Sequence, residues 1–286
     1  MKGSCLCGTL QYELTGPILS LTHCHCARCR RQNGAPFTTY AAVALEDLRW
    51  VSGESEIRAQ SVPPGGPRPF CVTCGAPAPL AFPQAGVALI PMGTLEGDPG
   101  PVPQSHVFTD SKAPWHAITD AWPQHRAHAP GIPAEPLPDL VRSGSTSGLI
   151  SGSCLCDRVG FEFSNPVAMF QCHCARCRKS RGSAHGANLF CKYSDFRWKR
   201  GESLVVDYKL PEARFYGVSF CAECGASVPR GSAERGIVVI PASSLDTDAN
   251  ISPMAHIYVG SKAPWFQISD ALPQHVEGPP SFAPPR

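Results

Sequence analysis

Apolar positions along this chain recur in short runs, and no long stretch carries the 3.6-residue spacing of an amphipathic helix. Residues 9–14, 37–45, 87–90, 159–163, 205–210, 215–220 and 237–240 are rich in β-branched and aromatic side chains and are bounded by Gly, Pro or Ser. Such runs predict strands. A short helical turn is expected after Pro114, because proline is tolerated in a first turn. Turns punctuated by 30 prolines and 26 glycines fit small sheets better than a helical bundle, so the fold class read from the pattern is mostly β.

The pattern is written twice. Ser111-Lys112-Ala113-Pro114-Trp115 and Pro123-Gln124-His125 return as Ser261-Lys262-Ala263-Pro264-Trp265 and Pro273-Gln274-His275. A duplication within the gene is the simplest cause, and it divides the chain into domains at 1–126 and 148–278. Between them, residues 127–147 carry Pro130, Pro133, Pro136 and Pro138 and then Ser143-Gly144-Ser145, the composition of an exposed, partly extended linker that packs little. Residues 279–286 read as a flexible tail. With 286 residues, 43% of them hydrophobic, the chain is long enough for two cores.

Charge narrows the function classes. The formal net charge is +2 and no run of five Lys or Arg occurs, which argues against a nucleic-acid partner. No apolar run approaches the roughly 20 residues that a membrane helix needs. Residues 1–10 lack the apolar stretch of a signal peptide, so a soluble, cytoplasmic protein is expected.

The cysteines carry the chemistry. Fourteen of the 15 fall into two sets of seven with equivalent members 148 to 150 residues apart: Cys5, Cys7, Cys24, Cys26, Cys29, Cys71 and Cys74, then Cys154, Cys156, Cys172, Cys174, Cys177, Cys221 and Cys224. In a reducing compartment, C-x-C and C-x-x-C pairs point to metal rather than to disulfides. Each set divides into four and three. Cys71 with Cys74, and Cys221 with Cys224, form knuckles whose following Gly75 and Gly225 suit a turn of positive φ. The pairs Cys5 with Cys7 and Cys154 with Cys156 complete a closed tetrahedral thiolate site of the structural type in each half. The triplets Cys24–Cys26–Cys29 and Cys172–Cys174–Cys177 offer three ligands and no evident fourth, as catalytic zinc sites do, and are the candidate reaction centres. Two alternatives stay open: His25 and His173 could close the triplets into further structural sites, and His23 is a weaker fourth ligand because Gln171 replaces it in the second half.

Arg28, Arg30 and Arg31, with Arg176, Arg178 and Lys179, lie beside the triplets. They either compensate thiolate charge or hold the carboxylates of an anionic substrate. His106, His256, Lys112, Lys262, Trp115 and Trp265 recur in both halves, either as the lining of a pocket or, for the tryptophans, as packing anchors. Cys191 reads as a buried structural thiol.

Gly-Ser-Cys-Leu-Cys at 3–7 and 152–156, His-Cys-Ala-Arg-Cys-Arg at 25–30 and 173–178, Phe-Cys-x-x-Cys-Gly at 70–75 and 220–225, and Ser-Lys-Ala-Pro-Trp at 111–115 and 261–265 resemble the glutathione-dependent formaldehyde-activating (GFA, or CENP-V domain) family. The resemblance implies two tandem Mss4-like zinc-binding β domains. It implies a structural site from the four-cysteine group, a catalytic site from the triplet, and about two zinc ions per domain. The implied activity is that of a carbon-sulfur lyase acting on a thiol–aldehyde adduct such as S-hydroxymethylglutathione or a related small thioether, with glutathione as the thiol partner. A non-catalytic zinc module that binds a protein or thiol ligand is the alternative, and two halves of one chain can pair as an intramolecular pseudo-dimer.

The halves also differ. Pro63, Pro64, Pro67 and Pro69 precede the first knuckle where the second half has Arg214 to Ser219, which predicts a lost or shortened strand, since proline cannot donate to a ladder. His185 stands in place of Phe37, either as a proton carrier near the metal or as a packed histidine.

Overall fold

A computed structural model describes the chain apart from residues 64, 131–137, 141–148 and 280–286. Each predicted run contains a strand, and the two halves repeat one plan. In the first, Lys2–Ser4, Gln11–Leu14 and Leu48–Ser52 form an antiparallel sheet. Strands Gln104–Val107, Ser20–Cys24, Thr38–Ala44, Val87–Pro91 and Leu80–Phe82 form a second sheet in that order, with the first pair parallel. Alternation explains the burial of Thr38–Ala44, whose Ala41 and Val43 face the core while their neighbours are half-buried. In the second half, Ala168–Cys172 lies inside a six-stranded sheet and is buried along its whole length.

Two helices escaped the pattern: α1 (Ala27–Asn33) and α2 (Ala175–Arg181). At seven residues each they are too short to show a helical period. Cys26 and Cys174 cap them, each sulfur accepting from the backbone N–H three residues on at 3.3 Å. Gly34 and Gly182 end them in left-handed conformation. The helical turn expected after Pro114 is reduced to one hydrogen-bonded turn, His116 N–H to the Ala113 carbonyl, and the 3-10 turn Thr109–Ser111 lies before the proline.

The proline-rich segment corrects the expectation of a lost strand. Pro67–Cys71 pairs with Ile57–Ser61 over five residues, as Gly217–Cys221 does with Val205–Lys209. Register explains how. Val72 N–H donates to the Glu56 carbonyl, and hydrogen-bonded pairs alternate along an antiparallel ladder, so Pro67 and Pro69 occupy positions whose nitrogens face away from the partner strand. The loss falls on the other edge. There Ser219 pairs with Val228 in a third strand, whereas the first half keeps an isolated Phe70–Pro77 bridge.

The halves interlock reciprocally. Trp265 is buried in the first half's core with Tyr12, Leu21, Phe37, Ile90 and Met92, and Trp115 packs against Phe161, Met169, Leu189 and Ile240 of the second. A Cβ on Gly75 would lie 2.4 Å from the Phe220 ring, and one on Gly225 would lie 2.3 Å from the Phe70 ring. Both glycines have positive φ, as the knuckle requires. The described parts of residues 127–147 pack more than their composition suggests. Ala129 sits against Cys24, Cys29 and Phe108, the Pro138 carbonyl accepts from Arg28, and Leu140 packs beside the second four-cysteine group. The remainder of that segment and residues 280–286 of the tail lie outside the described residues.

Candidate metal centres

Two buried groups each bring four sulfurs within 4.8 Å of one another: Cys5, Cys7, Cys71 and Cys74, and Cys154, Cys156, Cys221 and Cys224. A tetrahedral ion with metal–sulfur bonds near 2.3 Å needs sulfurs about 3.8 Å apart. Cys5–Cys7 at 3.4 Å, Cys7–Cys71 at 3.7 Å and Cys156–Cys221 at 3.9 Å fit that spacing, and all of these thiols are free. Local folding builds each cradle. Gly75 N–H returns to the Cys71 carbonyl at 2.9 Å and Gly225 N–H to that of Cys221 at 2.8 Å, closing the knuckles. Leu10 N–H and Val159 N–H donate to the sulfurs of Cys5 and Cys154.

The triplets also converge, each with its three sulfurs within 4.8 Å. A strand end supplies Cys24 or Cys172, the helix cap supplies Cys26 or Cys174, and the first helical turn supplies Cys29 or Cys177. As residues, Cys26 and Cys174 are half-buried and the other two cysteines of each triplet are buried, so the capping residue is the one nearest solvent. The donor set suits a thiophilic divalent ion with room for one further ligand.

Among the described residues no histidine ring nitrogen belongs to any of the sulfur groups. His25 Nε2 lies 2.8 Å from His106 Nδ1, and His106 Nε2 lies 3.0 Å from Asp120 Oδ1. The second half repeats this as His173, His256 and Asp270 at 2.8 and 3.0 Å. His23 is bound to Thr39 and Gln104 instead. Burial favours the neutral ring of three of them, lowering His23 to about 3, His25 to about 2 and His173 to about 3. His185 is a packed histidine, buried against His173, Phe37 and Phe266, and burial holds it well below its usual range. Cys191 is buried in strand Gly186–Lys192, its thiol pushed up to about 12 by burial.

The cations beside the triplets divide by partner. Arg30 donates to the carbonyls of His25 and Ser111, and Arg31 reaches the second half's Ser153, Ser244, Leu245 and Asp246. Lys179 crosses the other way to Ser4 and Glu96. Arg176 lies over the Tyr216 ring. The cation that touches a triplet sulfur was not among those expected. Arg68 Nη1 donates to Cys29 Sγ at 3.3 Å, whereas in the second half Tyr216 Oη at 3.7 Å and Asn188 Nδ2 at 3.9 Å approach Cys177. Hydrogen bonds from Cys24 and Cys26 hold the Cys29 thiol well below its usual range, and Arg68 adds to them. No sequence signal marks Arg68, which lies 39 residues from Cys29 and reaches it only through the hairpin register.

A mostly β chain carrying two copies of a four-cysteine and a three-cysteine cluster defines a tandem protein with four groups that could hold metal ions. The family model for the glutathione-dependent formaldehyde-activating enzyme matches residues 1–111 and again 149–261, and the chain belongs to that family as a tandem duplication. A crystal structure of a Rhodobacter sphaeroides protein is similar at 30% identity, covering 36% of this chain and 99% of its own; its TM-score of 0.29 is too low to support a comparison of folds. No curated protein matches. Among the described residues no helix is long and apolar enough to cross a membrane.

Proposed function

We propose that the chain is a zinc-dependent carbon-sulfur lyase of the cytoplasm, acting on a thiol–aldehyde adduct such as S-hydroxymethylglutathione or a related small thioether. The observation that carries this reading is the convergence of Cys24, Cys26 and Cys29, and of Cys172, Cys174 and Cys177, with no fourth ligand in either group among the described residues. Residues 1–126 and 148–278 form the two units, joined by 127–147. Cys5, Cys7, Cys71 and Cys74, with Cys154, Cys156, Cys221 and Cys224, hold the structural ions. A zinc ion in a triplet would supply Lewis acidity toward a thiolate sulfur or an aldehyde oxygen. Cys26 and Cys174 are the triplet residues nearest solvent, while the His25–His106 and His173–His256 pairs hold the strand ends that present Cys24 and Cys172. In the synthetic direction the thiol sulfur adds to the aldehyde carbon, the carbon–oxygen π bond opens and the thiol proton finishes on the oxygen; the lyase direction reverses this.

Metal analysis after exhaustive dialysis should give four ions per chain, one for each sulfur group. Cys26→Ser with Cys174→Ser should lower this to two and abolish turnover of S-hydroxymethylglutathione while the chain stays folded. A wild-type content of two ions, or turnover surviving the double substitution, overturns the reading. The non-catalytic module is favoured by one feature, the cover that Ala129 and Phe108 place over the first triplet. It predicts four ions and no turnover with any thiol–aldehyde adduct.

A further inference from the structure

The duplicated triplets have different surroundings, and the difference lies at the sulfur itself. We propose that Arg68 makes Cys24–Cys26–Cys29 the centre that accepts a small thiol as its thiolate, and that Cys172–Cys174–Cys177 does so only at much higher thiol concentration. The inference rests on the reading that each triplet holds a divalent ion with one ligand position free.

Three thiolates around a divalent cation carry one net negative charge, and a fourth thiolate raises this to two. Accumulating charge in a desolvated site is costly unless a cation is paired with it. At the first triplet the guanidinium of Arg68 lies 3.3 Å from Cys29 Sγ and offsets one charge through a charge-assisted hydrogen bond. Val218 occupies the equivalent place in hairpin Val205–Lys209/Gly217–Cys221. Cys177 is approached there by the neutral groups Tyr216 and Asn188, at 3.7 and 3.9 Å. Arg181 acts on Cys177 by charge, while the Nε of that guanidinium has no hydrogen-bond partner.

The remaining cations are shared between the two centres. Arg30 beside the first triplet and Arg178 beside the second act on it by charge from equivalent helix positions, with Arg30 bonded to the His25 and Ser111 carbonyls. Arg28 and Arg31 bond to carbonyl oxygens or to Asp246, and Lys179 bonds to Ser4 and Glu96. What separates the centres is Arg68, whose guanidinium meets a triplet sulfur directly. It acts on the incoming sulfur through Cys29 and the shared charge, which makes it a positioning residue. When a thiol enters, its S–H proton leaves to solvent and its sulfur takes the free position, so the centre gains one sulfur donor and no redox change occurs.

The test uses the full chain loaded with cobalt(II), whose sulfur charge-transfer absorption counts sulfur donors without any turnover. One version carries C172S and C174S, the other C24S and C26S, and each is titrated with 2-mercaptoethanol and separately with glutathione. The four-cysteine centres are already full and give a constant background that also reports folding. With the first triplet intact, the new absorption should reach half its amplitude at a thiol concentration at least about tenfold lower than with the second, the effect of one partly screened charge. R68Q should erase that advantage and R68K should keep part of it. Equal thiol concentrations in the two versions, or an R68Q chain indistinguishable from its parent, overturn the proposal. Triplets that take up no cobalt overturn the reading of the site itself, and this inference with it.

Discussion

Arg31 locks the two halves, and its replacement by Met gives a sharp test of how they are held. Its guanidinium donates to the Ser153 carbonyl at 2.7 Å, the Ser244 carbonyl at 2.9 Å and the Leu245 carbonyl at 3.1 Å, and lies 2.8 Å from Asp246 Oδ1. The side chains of the ion pair are 5% and 8% exposed. Removing the cation leaves the buried Asp246 carboxylate without its ion-pair partner, which costs about 3–5 kcal/mol. The duplication supplies a control. Lys179 holds the same helix position and bonds to Ser4 and to Glu96, but Glu96 is 61% exposed, so K179M should cost no more than about 1 kcal/mol. Urea unfolding of the metal-loaded chain, followed by tryptophan fluorescence, compares the midpoints at matched slopes. R31M with D246L removes both charges and should recover more than half of the loss, since nothing ionic then remains buried. An R31M midpoint equal to that of K179M, or no recovery with D246L, refutes the claim that this pair is dry and locks the halves.

Three further outcomes follow from burial and backbone conformation. His23 is lowered to about 3 by burial, whereas in the unfolded chain it titrates near 6.5, so the unfolded state takes the proton first. Its contribution to stability is therefore whole above pH 6.5 and is lost as pH falls toward 3, at about 1.4 kcal/mol per pH unit. His23→Gln should flatten the acid dependence of the unfolding midpoint between pH 6 and 4 by about one proton, measured as the difference from the parent chain. Trp265→Ala should cost about 3–5 kcal/mol and accelerate hydrogen exchange in Thr38–Ala44 of the other half, because that is the core it fills. Gly75→Ala should cost well over the roughly 1 kcal/mol of Gly8→Ala. Both glycines have positive φ, but a Cβ at Gly75 meets the Phe220 ring while one at Gly8 meets nothing within 4 Å, so equal unfolding midpoints would contradict the contact.

Local spacing is what made the site legible. Cys26 and Cys29 sit three residues apart around a helix cap, and Cys71 and Cys74 around a knuckle, so short-range geometry alone brings each pair toward one point. The strands were legible for the same reason: a run such as Val87–Pro91 buries alternate residues whatever lies around it. The helices were not, because two turns are too few to establish a period. The proline-rich strand was misread because composition records that a donor is missing but not the side it faces, and that side is a matter of register.

By itself the sequence determined the mostly β class, the doubling of the chain and the division of each cysteine set into four and three. These are properties of neighbours along the chain, where bond geometry limits the choices. Tertiary structure alone decided that Trp265 and Trp115 exchange cores, that Arg31 and Lys179 cross between halves with unequal burial, and that Arg68 meets Cys29 while neutral groups meet Cys177. Each of these joins residues far apart in the chain. Their meeting depends on strand register and on how two nearly identical halves pack, which neither composition nor spacing encodes.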